Sequence, residues 1–323
     1  MALKTSEKII NIIKARKQVS GKYLSEALDL GDRAIRKQLN NLLKEGILQK
    51  IGTPPKVFYS INKEEKLKEI RINKKDEKII DNNYFIITPS GKIKKGFVGF
   101  VYWCNKQNLD INKTTLEYIK TIQKYNKFKK DGLISGLGKM NNSFEKTYLN
   151  KVFYLDFYSI ERFGKTKLGQ LLLYSKQSQN KELIKELSLI IKPKIDKLIR
   201  DFDIDAVAFI PPTVKREVQL MKEIEKNLKL KINKVNLVKV KNEIIVPQKT
   251  LSKIKDRIKN AKDTIVVDYD NQHKNILLID DAIGSGATLN ETAKKIKDLK
   301  ISKNIIGLAI TGSFKGFDVI SEV

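Results

Sequence analysis

Apolar positions along the chain follow two kinds of pattern. Through residue 62 they recur at helical spacing. Ile9, Ile10 and Ile13 make one stripe, and Leu24, Ala27 and Leu28 a second. After the Leu30-Gly31 break, Asp32 is placed to cap a third helix. On that helix Ile35, Leu39 and Leu42 lie at i, i+4, i+7 and predict a buried face. Arg33, Arg36, Lys37 and Asn40 form a polar face at i, i+3, i+4, i+7. Gly46 ends the helix, and residues 47–50 and 57–61 flank Gly52-Thr53-Pro54-Pro55 as a predicted hairpin.

Residues 63–82 are highly charged and poorly patterned, which predicts a linker or an exposed helix. Two strand-like runs, 84–88 and 97–103, surround the turn Pro89-Ser90-Gly91, and a helix is predicted over 115–125. The glycines of 132–138 lack the spacing of a dinucleotide loop or a P-loop. From 152 onward the pattern alternates. Strands are predicted at 152–158, 206–210, 275–279 and 305–310, with helices at 165–175, 181–202, 214–228 and 290–299. Such alternation implies an α/β fold with a largely parallel sheet covered on both faces. The expected division is therefore a small helical unit (1–62), a linker and accessory segment (63–149) and an α/β domain (150–323).

Composition narrows the chemistry. Among 323 residues there is one cysteine, Cys104, and one histidine, His273. That excludes a disulfide framework and a Cys/His zinc site, and leaves Ser-His-Asp or Cys-His hydrolysis without support. A metal here must be held by carboxylates or by substrate phosphates, which points to magnesium. No apolar run approaches the ~18 residues of a membrane span, and no signal-peptide core follows Met1, so the chain is expected to be soluble and cytoplasmic, with no membrane partner. The formal net charge is +27, but only eight of the 64 basic residues are arginine. Lysine, isoleucine and asparagine abound together, as an AT-rich genome writes them. The distribution of charge therefore says more than its total.

The segment that carries chemistry is Asn275-Ile276-Leu277-Leu278-Ile279-Asp280-Asp281-Ala282-Ile283-Gly284-Ser285-Gly286-Ala287-Thr288. A buried strand delivers two adjacent carboxylates to its C-terminal edge, where open α/β sheets bind ligands. A Gly-Ser-Gly-Ala-Thr turn then opens a helix. Its backbone amides, with the hydroxyls of Ser285 and Thr288, form an anion cradle. Carboxylates beside a phosphate cradle fit a ligand with both hydroxyls and phosphate, a sugar phosphate.

This segment resembles the phosphoribosyl-pyrophosphate (PRPP) signature of type I phosphoribosyltransferases, a Rossmann-like parallel-sheet family. The resemblance implies that Asp280 and Asp281 hold the ribose hydroxyls. It also implies that Ala282, Gly284, Ser285, Gly286, Ala287 and Thr288 surround the 5′-phosphate, with Mg2+ bound mainly through PRPP and no metal ligand of the chain's own. Gly284 stands where the family usually has threonine. Pro247-Gln248-Lys249-Thr250-Leu251-Ser252, then Arg257-Ile258-Lys259-Asn260, resembles the loop of the ComF branch that closes over pyrophosphate. Residues 247–262 hold six basic side chains and one acid, net +5. A lid of that charge, without an anion to offset it, is expected to be mobile. Gln248, Lys249 and Arg257 are expected at the pyrophosphate, Lys249 and Arg257 acting in catalysis with the two acids. Pro212, Thr213 and Lys215 fall where the family's pyrophosphate loop lies. That loop is shortened here, with Arg216-Glu217-Val218-Gln219 in place of Arg-Gly-Phe-Asn. Residues 168–176 resemble the helix and lysine that precede the core. The ComF zinc finger is absent.

Three helices and a hairpin are the plan of a winged helix-turn-helix, whose third helix enters the DNA major groove. Arg33, Arg36, Lys37 and Asn40 would face nucleic acid, and residues 1–62 hold twelve basic and five acidic side chains, net +7. Winged helices also serve as docking modules, so both readings stand. Two functions follow. One is a phosphoribosyltransferase acting on a nucleobase, nucleotide or other acceptor, as a homo-oligomer coupled to nucleic acid. Fusions of this type resemble bacterial anti-phage effectors, retron-paired ones among them. The other is a PRPP-sensing regulator without catalysis, since a bacterial purine repressor joins the same two folds.

Overall fold

The computed structural model describes residues 4–62, 72–240, 243–244, 246–269 and 271–313. The chain forms two compact units, Met1–Ile70 and Arg71–Val323.

In the first unit, α1 (Thr5–Arg16), β1 (Val19–Ser20), α2 (Gly21–Leu28) and α3 (Asp32–Lys44) precede the hairpin of β2 (Leu48–Ile51) and β3 (Phe58–Ile61). The sheet is antiparallel in the order β1-β3-β2. Ile9, Ile13, Val19, Leu24, Ile35, Leu39, Leu42 and Leu48 form its core. Strand β1 has too few residues to leave a periodic signal. Ala27 is exposed, not part of the buried stripe. Gly31, not Asp32, is the N-cap of α3; Asp32 is its first residue, where a negative charge still suits the helix dipole.

The second unit opens with α4 (Lys74–Asn83), the hairpin β4 (Phe85–Ile87) and β5 (Ile93–Lys95), then α5 (Gly96–Lys106) and α6 (Ile111–Asn126). The run 97–103, expected as a strand, is helical. Gly96 turns the chain at φ 56°, and the Asp81 carboxylate accepts a hydrogen bond from Phe97 N–H at 2.8 Å. Gly96, Gly99, Phe100, Val101 and Cys104 are then buried together. A short, wholly apolar run does not reveal its period, and here the turn decided it.

The chain continues through β6 (Lys129–Lys130), β7 (Leu133–Ser135), α7 (Leu137–Ser143), β8 (Lys151–Phe157), β9 (Ser159–Ile160), β10 (Gly164–Lys165), α8 (Lys167–Ser178), α9 (Lys181–Asp201) and β11 (Ala206–Phe209). The last described elements are α10 (Leu220–Leu228), β12 (Asn233–Lys234), β13 (Asn236–Lys239), α11 (Ile254–Thr264), β14 (Ile265–Asp268), β15 (Asn275–Ile283), α12 (Ala287–Asp298) and β16 (Asn304–Gly312). The helix expected from 214 begins only at Leu220; residues 214–219 remain loop.

Seven strands form the central sheet in the order β12-β11-β15-β16-β8-β7-β6, parallel from β12 to β8 and antiparallel beyond. The apolar run of β15 splits between two cores. Ile276 and Leu278 join Leu289, Ala293 and Ile296 of α12 on one face. Leu277 and Ile279 join α8, α9 and α10 on the other. Residues 72–149 are not a separate linker: Ile80, Phe100, Tyr118 and Met140 pack into the α12-side core. β13 and β14 pair antiparallel as a separate ribbon, whose Leu237 and Val267 enter the α12-side core. No helix among the described residues is long and apolar enough to cross a membrane.

Gly169 shows how closely α8 is applied. A Cβ there would fall 2.1 Å from the Tyr158 carbonyl oxygen, a backbone atom. Gly169→Ala should therefore destabilise the chain by roughly 1–3 kcal/mol in urea unfolding, the usual cost of forcing a methyl into a packed site. An unchanged midpoint would mean that α8 can shift freely.

Candidate functional site

Strand β15 continues past Ile279, so Asp280 and Asp281 lie within it, as its central pairing to β11 ends. Neighbouring side chains on a strand point to opposite faces. Asp281 follows Leu277 and Ile279 to the α8 side, where its Oδ2 lies 2.6 Å from Lys176 Nζ. Asp280 takes the other face, and its Oδ1 accepts from Asp281 N–H at 2.7 Å. Burial, and then the negative charge of Asp281, raises the Asp280 carboxyl to about 7.

After Ile283 the chain turns through Gly284, Ser285 and Gly286 into α12. Gly286 is the N-cap at φ 76°, a left-handed conformation that suits glycine. Met140 and Phe144 lie 3.2 and 3.5 Å from where its Cβ would be. One turn on, Asn290 accepts from Tyr148 N–H at 2.8 Å and donates to the Lys146 carbonyl at 3.0 Å. The accessory segment thus fixes the start of α12, whose free amides face the turn.

Both features border one cavity of 410 Å3. Of the residues expected at the site, Pro212, Thr213, Gln248, Arg257, Asp280, Asp281, Ala282, Gly284, Ser285, Gly286, Ala287 and Thr288 line it. Lys215 does not; it is exposed on the loop that precedes α10. The side chain of Lys249 lies outside the described residues. Arg33, Arg36, Lys37 and Asn40, in the other unit, are all exposed on α3.

The 247–262 segment is folded more fully than its charge suggests. A turn of 3-10 helix at Gln248–Thr250 leads to α11, where Arg257 and Ala261 are buried. Gln248 Nε2 donates to the Arg257 carbonyl at 3.0 Å and to Asn260 Oδ1 at 3.2 Å, and Arg257 Nε donates to the Leu251 carbonyl at 2.7 Å. These hydrogen bonds tie the turn at Gln248–Thr250 to α11. Arg257 is only 5% exposed, yet its buried Nη2 has no partner among the described residues. Its Nη1 comes within 3.8 Å of the point a Cβ on Gly284 would occupy. Burial lowers its affinity for its proton.

Three lining cations were missed as site residues. Lys176 and Arg216 lie on segments noted only for their resemblance. Lys239 lies on β13 between outward-facing Val238 and Val240, so strand alternation turns it inward. Its Nζ donates to Asn260 Oδ1 at 3.2 Å. Burial, with Lys295 nearby, lowers its pKa to about 8. The alternation in Leu237-Val238-Lys239-Val240 was the available signal. No group of three or more His, Cys, Asp or Glu side chains among the described residues could hold a metal ion. Asp280 and Asp281 are the carboxylates among the described residues that line the cavity.

No protein-family model matches the chain, and no curated protein matches it. Among solved structures, a hypoxanthine-guanine phosphoribosyltransferase from Bacillus anthracis str. 'Ames Ancestor' is similar over 42% of this chain and 68% of that one, with 17% identity and a TM-score of 0.25. A likeness that loose carries no argument about activity. The functional reading rests on the cavity itself.

Proposed function

We propose that the second unit binds PRPP with Mg2+ and transfers its phosphoribosyl group to a nucleobase, nucleotide or other acceptor. The observation that carries this reading is the meeting, in one cavity, of the Asp280–Asp281 pair, the Gly284–Thr288 turn and Arg257, whose Nη2 has no partner among the described residues. The acids accept hydrogen bonds from the ribose hydroxyls. The turn and the N-terminus of α12 receive the 5′-phosphate. Arg257, Lys239 and Gln248 face the charge of the pyrophosphate. Bound magnesium supplies charge neutralisation on the pyrophosphate oxygens. As the bond from C1 to pyrophosphate breaks, fixed cations on the leaving side lower the barrier. Incubation with labelled PRPP, Mg2+ and a panel of bases and nucleotides tests the reading, with pyrophosphate release expected.

A second reading, a PRPP-responsive regulator, is favoured by loop 211–219. It is short and is tied to the end of α8 through Arg216 and Val218. PRPP binding without turnover under any acceptor would select it.

The pH dependence follows from two displaced groups. Burial and the charge of Asp281 hold Asp280 protonated above the usual carboxylate range, so PRPP affinity should rise as pH increases and Asp280 ionises. Burial and Lys295 hold Lys239 below the usual lysine range, so affinity should fall at higher pH as Lys239 loses its charge. Calorimetry should show both limbs, and a flat profile would exclude both groups from the contact.

For the first unit we propose a winged helix that contacts nucleic acid through α3. Three helices, a small antiparallel sheet and the exposed Arg33, Arg36, Lys37 and Asn40 support it. Replacing Arg33, Arg36 and Lys37 with alanine should weaken DNA binding and reduce the salt slope by about three at most. A slope equal to the parent's would assign this unit to protein docking.

A further inference from the structure

Lys239 borders the cavity from β13, and the residue paired with it on β14 is the buried Ile265. Among the described residues its ammonium donates to Asn260 Oδ1 of α11, 3.2 Å away, and has no ion pair with a carboxylate. From α12, Lys295 bears on it as a like charge. That neighbour is fastened in place, because Lys295 Nζ donates to the carbonyls of Lys262 and Ile265. Asp263, Glu291 and Lys262 bear on Lys295 in turn. Arg257 lies one turn before Asn260 on α11, and Asp280 and Asp281 border the same cavity from β15.

Burial beside an apolar side chain and a fixed like charge both favour the uncharged amine. A neutral amide acceptor offsets them less than a carboxylate would. Lys239 is accordingly held below the usual lysine range. An uncharged amine is a nucleophile, and a second cation beside a buried lysine is one of the ways such a nucleophile is made. Arg257 Nη2, buried and without a partner among the described residues, can donate to an anionic leaving group in the same cavity.

We propose that Lys239 is a modification site, an activated amine that takes an acyl group from an acyl phosphate admitted to the cavity. The amine nitrogen attacks the acyl carbon, a C–N bond forms, and the C–O bond to phosphate breaks. Phosphate leaves with the bonding electrons, and the nitrogen gives up its proton to water. The product is a neutral amide, so the cavity loses one cation. Resting on the PRPP reading, acylation then turns PRPP binding down.

The test is incubation of the full chain with acetyl phosphate at about pH 7.5, with and without PRPP and Mg2+, followed by peptide mass spectrometry of each lysine. Lys239 should be acylated about tenfold faster than the exposed Lys226 and Lys259. Its rate should level off towards about pH 9, where an ordinary lysine's rate still climbs. Lys295→Met, with folding checked by thermal melts, should slow Lys239 by about threefold or more. A Lys239 rate equal to those of Lys226 and Lys259, a rate that climbs with theirs, or one unchanged in folded Lys295→Met would overturn the inference, whether or not PRPP binds. PRPP with Mg2+ should protect Lys239; fast acylation without protection would keep the inference and remove Lys239 from the PRPP contact.

Discussion

Changing Asp280 and Asp281 together to asparagine should lower PRPP affinity by about two to four orders of magnitude and leave the chain folded. Each hydrogen bond from a hydroxyl to a carboxylate is worth roughly 1.5–3 kcal/mol, and the double change weakens two. The fold should survive because neither acid stabilises the empty protein strongly. Asp280 binds its proton more tightly in the folded chain than in the unfolded one, where it titrates near an ordinary carboxylate. Stability is therefore lost as pH rises from that range through about 7, where the buried group ionises. A neutral asparagine removes that penalty. The pair of Asp281 with the half-exposed Lys176 adds little. Urea unfolding at pH 8 should show a midpoint equal to the parent's or higher, and calorimetry should show almost no heat with PRPP. Parental affinity in the double variant would place the ribose elsewhere.

What was legible from sequence depended on whether one residue's environment is set by its near neighbours. Ile276 to Ile279 alternate between two cores, as the strand predicted from their run and from the α/β alternation around it requires. The acids and glycines after it are contiguous, so the turn could be read before any fold was known. On α3, Ile35, Leu39 and Leu42 are buried and the basic residues exposed, because one helix face settles both. Legibility failed where long-range partners decide. The run 97–103 became a helix through Gly96 and the distant Asp81. Lys176 reaches the site 105 positions away from Asp281, and Arg216 is held by a carbonyl forty positions earlier. The accessory residues Met140 and Phe144 bear on Gly286 only after the sheet has brought them there. Net charge also gave no hint of the hydrogen bonds among Gln248, Asn260 and Arg257 that shape the 247–262 segment.

Arg257 should separate an enzyme from a sensor. Its guanidinium is buried, with Nε committed to the Leu251 carbonyl and Nη2 without a partner among the described residues. A cation held like this, with no ion pair to a carboxylate among the described residues, is costly to the empty protein. It can be offset by negative charge arriving in the cavity, most of all by charge that grows on a leaving pyrophosphate. Arg257→Met keeps much of the buried stem and removes the charge and the fork. In an enzyme, pyrophosphate release should fall by about 10²–10³-fold, the usual effect of losing one fixed group aimed at a transition-state charge. PRPP affinity should fall much less, because the two acids and the α12 turn still hold the ribose phosphate. Single-turnover assays beside equilibrium binding measure the two quantities separately. Equal losses in both would reduce Arg257 to a ground-state contact. In a regulator there is no turnover to lose, and the same variant should instead diminish the change that PRPP produces in nucleic-acid binding.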